Sequence, residues 1–170
     1  MGWTDPHTWV DGEVVDADIY NTHVRDNLNA LKNPPSDSYV LDEVSDYATT
    51  SAAFVDIDAT NLSLTITTTG GDVVVGFVGA IKHTTAGALL YLDLELDGTR
   101  IGGDDGILVA QCPVNGYAVN MSFQYLITSL AAGTHTISLQ WKTSAATATL
   151  PAGAGTANYD VHPLFWIKEW

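Results

Sequence analysis

The sequence predicts a mainly β protein: an antiparallel β-sandwich or jelly roll preceded by an extended arm and one short amphipathic α-helix. Three observations carry that expectation. From about Tyr39 onward, apolar residues recur at every second position in short blocks broken by turn-forming residues. Ahead of them, one block, DADIYNTHVRDNLNAL (residues 16–31), has the spacing of a helix. Pro34-Pro35 then forbid its continuation. The expected division is an arm and anchoring helix over residues 1–35 and a sandwich over residues 36–170, with no repeat of fixed period.

The arm holds Trp3 and Trp9 and two turn-prone spots, TDPHT and VDGE. In the helix, Asp16 is placed to cap the first turn, and Asp18 suits the positive end of the helix dipole. Tyr20, Val24, Leu28 and Leu31 form a narrow apolar seam; Asn21, Thr22, Arg25, Asp26, Asn29 and Lys32 lie opposite. A lone helix of this length is marginal in water. Its seam therefore needs burial, either on its own sandwich or on sister copies or a larger platform. Trp3, Trp9 and the seam are the candidate anchoring and oligomerisation residues.

Four strands follow from alternation. NLSLTITTTGGD puts Leu62, Leu64 and Ile66 on one face and closes in a hairpin-like Gly70-Gly71 turn. LLYLDLELDG points Leu90, Leu92, Leu94 and Leu96 inward, with Tyr91, Asp93, Glu95 and Asp97 outward. YAVNMSFQYLI alternates Tyr117, Val119, Met121, Phe123, Tyr125 and Ile127 against polar partners. GTHTISLQWK buries Ile137, Leu139 and Trp141.

Two strands break the rule. DVVVGFVGAIK is apolar on both faces, with Val74, Val78 and Ala80 behind Val73, Val75, Phe77 and Ile81. HPLFWIKEW similarly sets Leu164, Trp166 and Trp170 behind Phe165 and Ile167. A strand covered on one face only should not read this way. Helix or loops cover the second face, or another copy of the chain does. Val74, Val78, Leu164, Trp166 and Trp170 are the candidate interface of the sandwich, since a large residual apolar surface marks a contact site.

Composition narrows the function. Twenty acidic residues face six Lys plus Arg, for a formal net charge of −14, which repels phosphate backbones and argues against nucleic-acid binding. The apolar runs are too short and interrupted for membrane insertion, and the N-terminus lacks the pattern of a signal peptide. Cys112, the single cysteine, is expected as a buried inert thiol.

No catalytic, cofactor or metal residue is nominated. The histidines (His7, His23, His83, His135 and His162) are scattered, and His135 reads as a packed or rim residue. DLELDGTRIGGD places Asp93, Glu95, Asp97, Gly98 and Asp104 at calcium-loop spacing, but Arg100 and the leucine alternation contradict such a loop. The loop over residues 143–160 is long and low in charge, in keeping with either a recognition loop or a packed excursion.

The stretch GWTDPHTWVDGEVVDADIYNTHVRDNLNALK resembles the N-terminal segment of many tailed-phage virion proteins. Trp9, Gly12, Glu13, Asn21, Val24, Arg25, Asp26, Asn27, Leu28 and Leu31 carry the likeness, which covers about the first fifth of the chain. The remainder is similar in pattern to small trimeric jelly-roll knobs of the tumour-necrosis-factor kind. The resemblance implies a non-enzymatic bacteriophage virion component, a compact decoration protein or short tail fibre, assembled in the host cytoplasm. It further implies a homotrimer that contacts capsid or tail and baseplate proteins, with host attachment through a surface glycan. Two rivals predict different molecules. A secreted carbohydrate-binding module would be a monomer with exposed rings; an acid-pair hydrolase would have a deep cleft holding two carboxylates.

Overall fold

Strands with one apolar face can hide it only against another such sheet, so the alternating blocks close into two layers over a shared core. The computed structural model describes residues 4–170; Trp3 lies outside them. The helix comes first, as α1 (Ala17–Tyr20), a π-helical turn (Asn21–Arg25) and α2 (Asp26–Lys32). Asp16 caps it, its Oδ1 accepting from the Ile19 N–H at 2.8 Å. The sequence periodicity implied an uninterrupted α-helix; the π turn instead widens it by one residue at Asn21–Arg25.

The strands are β1 (Ser36–Val40), β2 (Tyr47–Thr49), β3 (Val55–Asp56), β4 (Ser63–Thr68), β5 (Gly71–His83) and β6 (Leu89–Leu96). Then come β7 (Thr99–Arg100), β8 (Leu108–Gln111), β9 (Val119–Leu130), β10 (Gly133–Thr143), β11 (Ala148–Leu150) and β12 (Leu164–Glu169). In the first sheet β5 is central. β9 flanks it on one side, β12 and β11 lie end to end on the other, and β1 and β2 lie beyond them. In the second sheet β10 and β6 are neighbours. β4 and β3 lie end to end outside β10, and β8 and β7 lie outside β6. If each end-to-end pair is one interrupted strand, the chain changes sheet at every step except from β6 into β7 and β8. That connectivity is a jelly roll.

The core lies between the sheets. Leu64 and Ile66 of β4, Leu90, Leu92 and Leu94 of β6, and Ile137, Leu139 and Trp141 of β10 meet Val73, Val75 and Phe77 of β5 and Phe165 and Ile167 of β12. Each fully buried aliphatic side chain contributes about 1.5–3 kcal/mol. Cys112 is buried, and burial pushes its thiol up from its ordinary pKa. Both agree with an inert role.

Three expectations need correction. Gly70-Gly71 is not a hairpin turn, because β4 pairs with β10 while β5 belongs to the other sheet. Gly70 (φ +99°) carries the chain across the end of the sandwich close against Ala132. There Glu169 is buried, accepting from the Thr69 N–H at 2.9 Å and from the Thr69 hydroxyl at 3.0 Å. Tyr117 lies before β9 begins and is exposed. The 143–160 loop contains a strand, β11, which pairs with β2 and β5.

The register sets one end apart. Ser36 at the start of β1 lies opposite Lys168 near the end of β12, so the helix and Trp170 share one end of the sandwich. Connections 84–88, 112–118, 144–147 and 151–163 lie at the opposite end, as the pairing of Ile81 with Val119 and of Val40 with Leu164 requires.

Candidate functional site

The two sheets present opposite kinds of outer face. On the second sheet, outward polar residues are paired among themselves. Ser63 and Ser138 share a hydrogen bond of 2.8 Å, and Gln140 Nε2 donates to Glu95 at 2.8 Å and Asp56 at 3.0 Å. Asp93 points outward in register yet is fully buried, because the segment after β7 folds back over it. Arg100 Nε donates to Asp93 Oδ2 at 2.7 Å and the Gly102 N–H to Oδ1 at 2.8 Å. The Arg100 guanidinium also stacks 3.9 Å from the Phe54 ring centroid. Lys142 bonds the Asp104 carbonyl and sits 3.2 Å from Asp105 Oδ1. Three carboxylates of the calcium-like motif, Asp93, Glu95 and Asp97, are thus engaged elsewhere. Asp93 holds Arg100, and Asp97 binds His135 Nδ1 at 2.7 Å and the Thr136 N–H at 2.9 Å. Among the described residues no group of three or more His, Cys, Asp or Glu is arranged to hold a metal ion.

The first sheet's outer face is apolar along much of β5 and β12 and carries few charges. Alternation puts Val74, Gly76 and Val78 of β5, Leu164, Trp166 and Lys168 of β12, and Ser122, Gln124 and Leu126 of β9 on it. Trp166 stands opposite Gly76, and its indole lies across that glycine. A Cβ there would come within 2.2 Å of the ring. Gly76 is therefore the seat that lets a tryptophan lie flat on the sheet.

The end of the helix rises from this face. Ala30, Leu31, Pro34 and Pro35 form one wall, and Val74, Gln124, Trp166, Lys168 and Trp170 the floor and far side, of a groove of about 680 Å³. A smaller hollow continues over Asp72, Val74, Tyr125, Leu126 and Trp170. Each hollow has one carboxylate in its lining, Glu169 and Asp72 respectively.

The arm packs on the polar side of the helix, not on its seam. Buried Asn27 exchanges two hydrogen bonds with the backbone of Thr4, at 2.9 and 2.8 Å. His23 Nδ1 bonds the Asp5 carbonyl at 2.8 Å. His7 is held by Glu13 at 2.6 Å and lies edge-on to Trp9. Among the described residues most of the seam stays uncovered: Tyr20, Leu28 (61% exposed) and Leu31 (66%) are exposed, and Val24 is half-buried. Trp9 is exposed in the arm.

The nominated sandwich residues all occupy this one region. Val74, Leu164 and Trp166 are half-buried, Val78 is 48% exposed and Trp170 is 87% exposed. Leu31, Val74, Trp166 and Trp170 meet in the groove; Tyr20, Val24 and Leu28 lie along the helix away from it. Gly76, Gln124 and Leu126 were not singled out from the sequence, and Pro34-Pro35 were read there only as the stop of the helix. A glycine in mid-strand was the available signal for Gly76; the β9 contribution needed the sheet order.

No protein-family model matches the chain, and no curated protein matches it. Among solved structures, one of the Gx strain of infectious bursal disease virus is 15% identical over 79% of this chain and 36% of its own, with a TM-score of 0.43. Particles derived from the same virus give 13% identity over 81% of this chain and 36% of theirs, at 0.44. A carbohydrate-binding module of Cellvibrio mixtus lichenase 5A, in complex with cellotriose, gives 13% over 79% and 87%, at 0.34. The chain spans well under half of those viral chains. Likeness at these scores carries no assignment. The strand connectivity alone defines the class, a jelly-roll β-sandwich with an N-terminal helix.

Proposed function

We propose that the chain is a bacteriophage virion structural protein: a compact decoration or short-fibre protein, anchored through its N-terminal arm and helix and assembled as a homotrimer. One observation carries the reading. An apolar sheet face and an apolar helix seam are both uncovered in a single chain that is otherwise strongly acidic. The resemblance of residues 2–32 to tailed-phage virion proteins adds the setting. The placement of the helix at one end and of the long connections at the other fits a molecule that grips at its base. Capsid or tail and baseplate proteins are the partners at that base. The far loops are free to meet a host-surface glycan.

The function on this reading is mechanical and adhesive, without catalysis, nucleic-acid binding or membrane insertion. Tyr20, Val24, Leu28 and Leu31 join copies or platform, while Val74, Val78, Leu164, Trp166 and Trp170 bury the contact between knobs. Native mass measurement tests it: the expected result is a multiple of three chains, and Leu28→Asp with Leu31→Asp reduces that mass while the β-domain stays folded. A stable monomer overturns the reading. If that monomer also binds oligosaccharide through Trp170, the carbohydrate-binding module replaces it.

A further inference from the structure

The side of the sandwich formed by β8 and β9 differs from every other. Among the described residues β9 pairs with β5 and with no other strand, and β8 pairs only with β6, so both outer flanks carry backbone groups that no described strand pairs. The two strands adjoin at this side. Natural edge strands are normally guarded by charge, proline or bulges. β9 carries no charge and no proline from Val119 to Leu130, and its one bulge, at Thr128 and Ser129, is confined to the end beside Gly71. Indeed no Asp, Glu, Lys or Arg occurs anywhere in residues 106–134. Its inward residues Phe123, Tyr125 and Ile127 are only half-buried, and Val109 and Leu126 are about half exposed.

The opposite side shows what this absence means. Residues 36–58 supply β1, β2 and β3, and carry Asp37, Asp42, Glu43, Asp46, Asp56 and Asp58 with no lysine or arginine. Two copies of a chain with net charge −14 meeting there would set carboxylate against carboxylate. At β9 they meet without repulsion, and an antiparallel edge is self-complementary about a twofold axis.

We infer that β9 is a self-pairing edge, which hydrogen-bonds antiparallel to β9 of a second copy and joins the two first sheets into one continuous sheet. The occupant is another copy of this chain. This contact is separate from the threefold contact proposed above and does not rest on it. The regular part of β9 runs from Val119 to Ile127, and with the axis at Ser122 that residue faces its own copy, with Asn120 beside it on the same face. Asn120→Lys with Ser122→Lys then sets like charges across the seam; both side chains are exposed and neither lines the groove.

The test is native mass on the wild-type chain and on that double variant. The wild type is expected at an even multiple of the chain mass, and the variant at half of it with an unchanged unfolding midpoint. A sixfold mass sustains both contacts. A twofold mass sustains the β9 edge and overturns the threefold reading. An odd multiple or a monomer overturns the edge, as does a folded variant of unchanged mass; should the variant not fold, the wild-type parity decides alone.

Discussion

The two outer faces of this sandwich are built from strands of similar length but opposite design. On the second sheet, β6 and β10 alternate, and the buried outward side chains Asp93, Ser138 and Gln140 each find a partner within the chain, as Asp93 does in Arg100 and Gly102, with only Gln140 Oε1 left without one among them. On the first sheet, β5 and β12 are apolar on both sides, and the outward residues find only a glycine seat and the end of a helix. One face is finished by the chain itself. The other leaves apolar surface in water, which forfeits about 25 cal/mol per Å² that contact would recover.

The largest break in this comparison is expected on the polar face. Asp93→Ala removes a buried carboxylate from Arg100 and from the Gly102 N–H, and should cost about 3 kcal/mol in urea unfolding, roughly 10 °C in Tm. Val78→Ser on the apolar face should change the stability of the isolated chain by less than about 0.5 kcal/mol. If the two losses are equal, the faces do not differ in the way described. Next in size, Gly76→Val evicts the Trp166 indole from its seat. Overpacking of this kind costs about 1–3 kcal/mol, and tryptophan emission should shift to the red as the ring enters water. Unchanged emission would show that Trp166 rests elsewhere.

The smallest effect is electrostatic and belongs to the rim of the polar face. The hydrogen bond to Asp97 holds His135 above its ordinary pKa of 6.5, with the Ala131 carbonyl adding to it. The His135 ring, and then the Thr136 N–H, hold Asp97 below its ordinary 3.8. A raised histidine stabilises fully below 6.5 and loses that contribution as pH rises through its folded value; a lowered carboxylate stabilises above 3.8 and loses it as pH falls further. The Tm deficit of His135→Gln should therefore be largest near about pH 5.5 and smallest near about pH 8. A deficit that grows toward alkaline pH would contradict the pairing.

Much of this was legible in the residues because it is local. The leucines of β6 and the Ile137, Leu139 and Trp141 series declare their faces by alternation, and the double-sided β5 and β12 declare an uncovered surface. The seam of Tyr20, Val24, Leu28 and Leu31 was equally plain. What failed was long-range. Gly70-Gly71 looks like a hairpin until β4 is known to pair with β10. Asp93 looks solvated until the segment after β7 returns over it. The hollow beneath Trp166 exists only because register sets that residue opposite Gly76, and no spacing within either strand announces the match. Trp3, expected to take part in anchoring, lies outside the described residues.

The pairing of β1 with β12 has a practical consequence. A payload joined after Trp170 would emerge beside the helix and crowd the groove, whereas one inserted between Pro151 and Pro163 would be carried at the far pole. Cargo grafted onto this protein belongs there.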